Sequence, residues 1–362
     1  MKILQVVNSL AVGGAEKLLL ETLPLYKQKG VTVDLLVLNG HEYPFMTELK
    51  ELDCCNIFSL GNATVYNPLH VYKIISYLKK YDIVHVHLFP AQYWVVLAKI
   101  ISFTKVKLLF TEHCTSNRRL ENKLFRFVDG LIYRGYDKVI CITEEIKKIL
   151  QKHTSLRDAT FVVIENGVNL SAITKSDSLL KHKINTKFSQ ADSLLIQVAG
   201  FREQKDQVTL IQALTYLPEN VKLALVGDGV TRKECEVLVG ELQLTDRVVF
   251  LGLRMDVPQL LKSADIIVLS SKFEGLSLSS IEGMAAGKPF IASEVPGLTE
   301  IVKGAGVLFE QGNAAALAEK IMNLLNDRVY YDFVSQACQE RASQYDIHKM
   351  IEQHIVLYES IF

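Results

Sequence analysis

The sequence has no excess of charge of either sign, because 40 Lys and Arg residues are balanced by 40 Asp and Glu residues. A neutral chain gives no electrostatic reason to expect nucleic acid as a partner. Long apolar runs are also missing: the most lipid-like stretch, residues 91–103, is too short to span a bilayer and contains Lys99. The apolar N-terminus runs into Gly13 without a small-residue cleavage site, so we predict a first strand there and not a signal peptide.

The spacing of the cysteines and histidines gives little indication of a metal site or a disulfide. The cysteines are Cys54, Cys55, Cys114, Cys141, Cys235 and Cys338. None has the paired spacing of a metal site, and adjacent Cys54 and Cys55 make a poor disulfide framework, so we predict reduced thiols in a cytosolic compartment. His85 and His87 share one face of a predicted strand and could bind a metal, but no nearby carboxylate or cysteine completes a site. We predict packed, hydrogen-bonded histidines instead.

The chain is long enough, at 362 residues with 49% apolar side chains, for two domains with a large core each. Apolar strands alternate with periodic helices in both halves, and a polar stretch over residues 169–192 separates them. This alternation predicts two doubly wound parallel α/β sheets with a cleft between their carboxyl ends. We predict a first domain over residues 1–168, a second over 190–345, and an amphipathic C-terminal helix over about 346–362.

The segment from Ile266 to Ala286 is the most informative part of the sequence. A buried strand, Ile266–Leu269, leads through a turn that contains Gly275 into a helix from Leu278 to Ala286. This layout directs backbone N–H groups and the positive end of a helix dipole at one point, which suits a phosphate. Glu274 and Glu282 can accept hydrogen bonds from hydroxyls on both sides of that phosphate. A nucleotide sugar has this combination of groups.

The two glutamates belong to a longer pattern, with Phe-Glu-Gly-Leu at 273–276, Glu-Gly-Met-Ala-Ala-Gly-Lys-Pro at 282–289 and Pro-Gly-Leu-Thr-Glu at 296–300. The whole pattern resembles that of retaining glycosyltransferases with the GT-B fold, a group that includes sucrose synthases and phosphatidylinositol mannosyltransferases. The resemblance is close in the C-terminal half and looser in the N-terminal half. It implies two Rossmann-like domains and the transfer of a sugar from a nucleoside diphosphate sugar to an acceptor hydroxyl, with retention at the anomeric carbon. A uridine diphosphate donor is favoured.

Two cations follow the first strand of the second half. Arg202 and Lys205 stand at a strand's carboxyl end, where they can neutralise a diphosphate, although most such residues are surface cations. The segment resembles the family's donor loop, which implies phosphate contacts for both. The resemblance further implies sugar hydroxyls for Glu274 and ribose hydroxyls for Glu282. The other donor-binding residues that we predict are Gly14, Gly252, Gly275, Leu276 and Ser277.

Two features of the N-terminal half have either a purely structural role or a role in ligand binding. Gly13 and Gly14 form either a tight strand-to-helix turn or a ligand contact, and the pattern G-x-G-x-x-G is absent. His113 ends a predicted strand and is either a capping residue under the next loop or a ligand-binding group. In the family, the matching loop lies against the diphosphate and the matching histidine binds a hydroxyl of the transferred sugar, so we predict both contacts.

The resemblance also bears on metals and mechanism. No two aspartates stand two apart, so the Asp-x-Asp metal clamp of the other main glycosyltransferase fold is missing. We therefore predict no metal and no cofactor, with Arg202 and Lys205 in the role of the cation. Glu274 could instead be a covalent nucleophile, as in retaining glycosidases. The resemblance favours attack on the same face, in which the leaving phosphate takes the acceptor's proton.

The predicted acceptor is a saccharide or a lipid-linked saccharide. Between Lys99 and Lys138, nine Lys or Arg residues stand against four Asp or Glu residues, within an aromatic-rich region at 94–138. Such a region could rest on an anionic bilayer, although a solvated face is the commoner outcome. We predict a cytoplasmic protein, and the relatives' lipid-linked acceptors imply action at the inner face of the cell membrane in cell-surface polysaccharide assembly.

Two other functions remain open. A sugar-nucleotide epimerase of the same fold would need acid and base carboxylates in the first domain, where no convincing set is found. A non-catalytic sugar-nucleotide-binding protein would keep the binding residues without turnover. Incubation with donor alone separates them, because an epimerase changes the sugar, a transferase at most hydrolyses it slowly, and a binder does neither.

Overall fold

The computed structural model describes residues 1–113 and 123–362, which form two α/β units. The first comprises Met1–Gly167 together with Ile347–Phe362, and the second comprises Val168–Asp346. Each unit contains one sheet, and all of the strand pairs in both sheets are parallel. The predicted fold class is confirmed.

The sheet of the first unit has seven strands in the order β3-β2-β1-β4-β5-β6-β7. Its central strands are buried along almost their whole length, as expected for a parallel sheet with helices on both faces. The strands are β1 (Lys2–Val7), β2 (Thr32–Val37), β3 (Ile57–Ser59), β4 (Ile83–His87), β5 (Lys107–Glu112), β6 (Lys138–Cys141) and β7 (Phe161–Val163).

The helices described in the first unit connect these strands, and the last one is formed by the C-terminus. They are α1 (Gly14–Gln28), α2 (Pro44–Leu52), α3 (His70–Leu78), α4 (Ala91–Ser102), α5 (Lys123–Ile132), α6 (Glu144–Thr154) and α16 (Ile347–Ile361). Most of the apolar stripe of α16 is buried in the core of this unit, and Ile355 and Ile361 are partly buried against it. His354 and Leu357, which the sequence pattern did not single out, are buried as well.

The sheet of the second unit has six strands in the order β10-β9-β8-β11-β12-β13. Its strands are β8 (Ser193–Val198), β9 (Val221–Val226), β10 (Val248–Gly252), β11 (Ile266–Leu269), β12 (Phe290–Ser293) and β13 (Val307–Phe309). Its helices are α7 (Leu170–Thr174), α8 (Lys181–Ile184), α9 (Gln207–Ala213), α10 (Arg232–Glu241), α11 (Val257–Ser263), α12 (Leu278–Ala285), α13 (Thr299–Val302), α14 (Ala314–Asn326) and α15 (Arg328–Ala342).

The polar stretch at residues 169–192 is partly helical, because it contains α7 and α8. Asn169 precedes α7 and caps it, because its side chain accepts a hydrogen bond from the Ala172 N–H. The strands β3 and β13 were not predicted. Both are three residues long, and their apolar runs are shorter than that of the equally short edge strand β7, where residues 161–164 are all apolar.

The strand order reverses once in each sheet, between β1 and β4 and between β8 and β11. Ligands of open α/β sheets bind outside the carboxyl ends of the strands at such a switch point. In the described part of the chain, every helix falls short of the length and apolar character that a bilayer-spanning segment needs.

Candidate active site

Lys205 and Glu274 meet at the switch point of the second unit. Lys205 lies in the turn after β8, and Glu274 lies in the turn after β11. Lys205 Nζ donates a hydrogen bond to Glu274 Oε1 at 2.5 Å, and Ser271 Oγ donates to the same oxygen at 2.6 Å. The Glu274 residue is only 8% exposed, so this carboxylate is held almost out of water by a cation and a hydroxyl.

Hydrogen bonds from three neighbouring segments hold the Glu274 turn in place. Gln204, in the β8 turn, accepts from the Lys272 N–H at 2.7 Å and donates to the Phe273 carbonyl at 2.8 Å. Ser293 at the end of β12 donates to the Ser271 carbonyl, and the Glu274 N–H donates to the Pro296 carbonyl at 3.3 Å. The turn is therefore fixed on both sides of Glu274.

The position after Pro296 has to be a glycine. Gly297 has a φ of +84°, and a Cβ atom there would lie 2.2 Å from the Glu274 carbonyl oxygen. Real Cβ atoms do not approach an oxygen so closely, and the left-handed backbone conformation favours glycine for a separate reason. The conformation of the Glu274 turn therefore depends on the absence of a side chain at residue 297.

Three backbone N–H groups at the start of α12 are available to a ligand. The N–H groups of Gly275, Leu276 and Ser277 donate to no acceptor among the described residues. They precede the first residue of α12, where the helix dipole adds positive potential. Backbone groups of this kind bind phosphate readily, so the geometry supports the predicted phosphate contact.

Arg202 lies at the beginning of the same turn as Lys205. Its side chain is exposed and forms no ion pair or side-chain hydrogen bond with the described residues. The Lys205 N–H donates to the Arg202 carbonyl at 2.8 Å, and Gln197 Nε2 donates to the Lys205 carbonyl at 3.1 Å. The backbone of the turn is thus fixed while the guanidinium is accessible for a planar, bidentate anion contact.

Glu282 and Gly252 lie in the second unit with Glu274. Their predicted roles in donor binding stay predictions. Glu282 is the fifth residue of α12 and is 5% exposed. Gly252 ends β10 with a φ of +65°, and its carbonyl accepts from the Gly227 N–H at 2.8 Å. A Cβ atom on Gly227 would lie 2.2 Å from the Ala199 carbonyl oxygen, so the turns after β8, β9 and β10 are closely packed.

In the first unit, Gly14 is the first residue of α1. Side-chain hydrogen bonds from Asn8 join the ends of the two strands at the switch point. Asn8 Nδ2 donates to the Phe89 carbonyl at 2.8 Å, and its Oδ1 accepts from the Ala91 N–H at 3.3 Å. Asn8 directly follows β1, and Ala91 begins α4, after β4. The loop that carries Gly14 therefore starts from a position that is hydrogen-bonded to the segment after the neighbouring strand.

His113 follows β5 directly, one strand further from the switch point. Its Nε2 lies 3.1 Å from Nδ1 of His87, and His87 Nε2 lies 2.7 Å from Oε1 of Gln5. On the same strand as His87, His85 contacts the hydroxyls of Tyr358 and Thr111 at 2.7 and 2.6 Å. The prediction that His85 and His87 are packed, hydrogen-bonded residues is confirmed.

The imidazole rings in this cluster are held neutral by their surroundings. Burial lowers the pKa of His113 to about 4, and burial followed by the neighbouring His113 lowers the pKa of His354 to about 3. Burial and the neighbouring histidine rings also depress the pKa values of His85 and His87 well below their ordinary range. At neutral pH each ring therefore has one nitrogen that donates and one that accepts.

Several of these contacts had no signal in the sequence. Lys205 and Glu274 were assigned to phosphate and to sugar separately, and their pairing depends on the adjacency of β8 and β11, 69 residues apart. Gln204 and Ser271 were not proposed at all, although each stands close in sequence to a predicted site residue.

Within the described residues, no three His, Cys, Asp or Glu side chains converge so as to hold a metal ion. Cys114 lies outside the described residues.

Both halves of the chain match protein families. Residues 12–172 match the family described as Glycosyltransferase Family 4, and residues 180–344 match the family described as Glycosyl transferases group 1. The N-acetyl-alpha-D-glucosaminyl L-malate synthase of Bacillus anthracis is 27% identical over 288 residues, which are 77% of this chain and 75% of that protein.

Other relatives and a solved structure extend the likeness. The N,N'-diacetylbacillosaminyl-diphospho-undecaprenol alpha-1,3-N-acetylgalactosaminyltransferase of Campylobacter jejuni is 30% identical over 251 residues, covering 66% of this chain and 65% of that protein. The crystal structure of Anabaena Alr3699/HepE in complex with UDP and glucose has a TM-score of 0.85 at 24% identity, and the match covers 99% of this chain and 100% of that chain. At this identity the likeness shows a shared fold over the full chain.

Proposed function

Because this chain belongs to the group 1 glycosyl transferases, we propose that it transfers a sugar from a nucleoside diphosphate sugar to an acceptor hydroxyl, with retention at the anomeric carbon. The observation that carries the proposal is the contact between Lys205 and Glu274 beside three free N–H groups at the start of α12. A cation and helix N–H groups suit a diphosphate, and a carboxylate suits the hydroxyls of the attached sugar.

Lys205 has a central position in this proposal. An ammonium group has three N–H donors, and the contact with Glu274 uses one of them. The other two are available for phosphate oxygens, so the same side chain can link the sugar-binding carboxylate to the leaving group. Arg202 adds a second cation, and the N–H groups of Gly275, Leu276 and Ser277 complete the phosphate contacts.

The proposed reaction breaks the bond between the anomeric carbon and the phosphate oxygen, and the electron pair leaves with the nucleoside diphosphate. The acceptor oxygen forms its bond on the same face of the sugar, and its proton passes to the leaving phosphate. Positive charge develops on the sugar ring while negative charge grows on the diphosphate. Fixed dipoles and cations that stabilise this charge separation supply most of the catalysis in such sites.

In this proposal Glu282 binds the ribose hydroxyls, the backbone at Gly252 binds the base, and Gly14 adjoins the diphosphate. His113 accepts a hydrogen bond from a hydroxyl of the transferred sugar. No metal and no cofactor take part. The relatives support a uridine donor and a lipid-linked saccharide acceptor, since one from Escherichia coli is named a UDP-Gal:alpha-D-GlcNAc-diphosphoundecaprenol alpha-1,3-galactosyltransferase; it is 27% identical over 80% of this chain.

Thermal unfolding against a panel of nucleotide sugars tests the donor site. A donor at a hundred times its dissociation constant should stabilise the protein by about 2.7 kcal/mol, which is visible as a shift in melting temperature. The panel should include UDP-glucose, UDP-galactose, UDP-N-acetylglucosamine and GDP-mannose, each with and without EDTA. We expect a shift with at least one UDP-sugar that survives EDTA, because protein cations neutralise the diphosphate.

Two outcomes would contradict this proposal. If no donor shifts the melting temperature, the assignment of the donor site is wrong. If EDTA abolishes the shift, only the prediction of metal independence is wrong. Donor incubation without acceptor provides the control for mechanism: conversion of the sugar to its epimer would favour an epimerase, and binding without even slow hydrolysis would favour a non-catalytic protein.

We further propose that the first unit rests on an anionic membrane surface at the inner face of the cell membrane. The region at 94–138 includes exposed aromatic side chains, with Phe103 90% and Phe127 69% exposed, and its exposed basic residues include Arg126 and Arg134. Residues 114–122 of this region lie outside the described residues. Apolar groups that insert between headgroups and cations that attract them act together at such surfaces.

Binding to vesicles tests this surface. We expect Phe103→Ser and Phe127→Ser each to weaken binding to vesicles with anionic lipid by about tenfold, because each removes apolar area that the bilayer would bury. Phe333→Ser is the matched control, since Phe333 lies on α15 and is 70% exposed. Equal binding by all three variants, or no binding of the wild-type protein to anionic vesicles at low salt, would contradict the proposal.

A further inference from the structure

A buried chain of hydrogen bonds leads from His113 to the C-terminal helix. It passes from His113 to His87 on β4, to Gln5 on β1 and to the hydroxyl of Tyr358 on α16. His87, Gln5 and Tyr358 are buried, with no more than 4% of each residue exposed. The three residues come from distant parts of the sequence. The polar groups of each one take part in this series of hydrogen bonds.

The direction of the hydrogen bonds follows from the Gln5 amide. Its oxygen faces His87 and its nitrogen donates to the Tyr358 hydroxyl at 3.1 Å. His87 must therefore carry its proton on Nε2, which leaves Nδ1 as an acceptor in the neutral ring. The hydrogen bond between the two histidines then requires His113 to donate from Nε2.

The other end of the chain is consistent with this direction. The Tyr358 hydroxyl accepts from Gln5 and can donate to Nδ1 of His85 at 2.7 Å. His85 then donates from Nε2 to the Thr111 hydroxyl at 2.6 Å. The Tyr358 hydroxyl also lies 3.4 Å from that of Tyr26, but its contact with His85 is shorter. No ring in the series needs a second proton. Burial keeps the pKa of His85 and of His87 low, which maintains the neutral rings that the series requires.

We propose that His87 and Gln5 are positioning residues that fix His113 in the tautomer with the proton on Nε2. The Nδ1 lone pair of His113 is then its only acceptor, and among the described residues nothing donates to it. A substrate hydroxyl at this position has to donate its hydrogen to Nδ1, so the site selects a ligand with a hydroxyl there over one with an ether or a deoxy carbon. The substrate contact rests on the proposed function, whereas the tautomer does not.

The tautomer can be measured without substrate. Long-range 15N–1H correlation spectra of the full-length protein with 15N-labelled histidine distinguish protonated from bare ring nitrogens, and the His113→Gln variant identifies the signals of His113. We expect a protonated Nε2 and a bare Nδ1 on His113 in the wild-type protein. A proton on Nδ1 would overturn the proposal, whatever reaction the protein catalyses.

Three variants separate positioning from folding. In His87→Leu the acceptor is lost, so His113 should populate both tautomers. In His87→Asn a side-chain carbonyl can replace Nδ1 of the ring as acceptor, so the wild-type tautomer should return. His85→Leu is the matched control, because His85 is on the same strand and equally buried but has no hydrogen bond to His113. An unchanged His113 signal in His87→Leu would overturn the proposal.

Kinetics supply the second readout. We expect kcat for sugar transfer to fall roughly tenfold in His87→Leu, the effect of losing one well-oriented hydrogen bond, with little change in the donor's KM. His87→Asn should recover most of the loss. If the tautomers behave as expected but no variant, wild type included, transfers sugar, then the proposed function fails and the positioning role stands. If His87→Leu shifts the tautomer but leaves kcat unchanged, then the substrate contact of His113 fails.

Discussion

Replacement of Lys205 by methionine should lower kcat/KM for sugar transfer by about a hundredfold to a thousandfold, the usual cost of removing one group that stabilises charge in the transition state. It should also lower the free energy of unfolding by about 2 kcal/mol, because Glu274 would lose the cation that contacts it at 2.5 Å. Steady-state kinetics and denaturant unfolding measure the two effects. Replacement of Glu274 by glutamine should have a similar effect on kcat/KM, since an amide is a weaker acceptor for sugar hydroxyls.

The double variant with Lys205→Met and Glu274→Gln distinguishes catalysis from stability. Neither charge remains, so the free energy of unfolding should return close to the wild-type value, while activity should stay as low as in the single variants or fall further. Activity that returned together with stability would mean that the pair only supports the fold. Wild-type turnover in either single variant would contradict the assignment of these residues to the active site.

Lys181 provides a matched control for Lys205. It lies in the same unit, is buried, and donates to Asp265 at 2.7 Å, so the two ion pairs have similar geometry. Asp265 precedes β11, whereas Glu274 follows it, so the control pair lies at the opposite end of the strand. Ligands bind at the carboxyl ends of parallel strands. Lys181→Met should therefore cost stability without a matching loss of kcat/KM.

Substitution of Gly297 by alanine should destabilise the second unit by about 3 kcal/mol and reduce transfer by about a hundredfold. The new Cβ atom would lie 2.2 Å from the Glu274 carbonyl oxygen and 2.7 Å from that of Gly275. Both contacts involve backbone, so the turn with Glu274 and the free N–H groups has to move. Denaturant unfolding and steady-state kinetics at saturating donor measure the two losses.

Gly304→Ala is the control for the backbone conformation itself. Gly304 has a φ of +80°, close to the +84° of Gly297, but a Cβ atom there would meet nothing within 4 Å. Its substitution should cost only the left-handed strain, about 1 kcal/mol, and leave activity unchanged. Equal effects of the two substitutions would show that the clash with the Glu274 turn has no consequence, and the dependence of the site on residue 297 would be wrong.

Much of the fold could be predicted because its signals are local. The strand Ile266–Leu269 and the helix that starts at Leu278 were predicted with correct starts, since a buried apolar run and a helix start are visible within a few residues. The two doubly wound sheets of the GT-B fold predicted from the resemblance are confirmed. The short edge strands β3 and β13 were missed because their apolar runs, of two and three residues, are too short to indicate a strand.

The site was only partly predictable for the same physical reason. Glu274 could be placed after a strand from its immediate neighbours, and the N–H groups of residues 275–277 could be placed at a helix start. The contact between Glu274 and Lys205 could not, since it depends on β8 lying beside β11. That order is set by hydrogen bonds between strands that are far apart in the sequence.

The sequence by itself therefore determined the alternation of strands and helices, the turn that presents Glu274, and the family pattern around it. Tertiary structure alone decided which of these local pieces meet. It joined Lys205 to Glu274 across 69 residues, and it joined Gln5 to Tyr358 across 353 residues behind the histidines of the first unit. Propensities and periodicities act over one element, whereas hydrogen bonds between buried polar groups form only after the sheets and the last helix have packed.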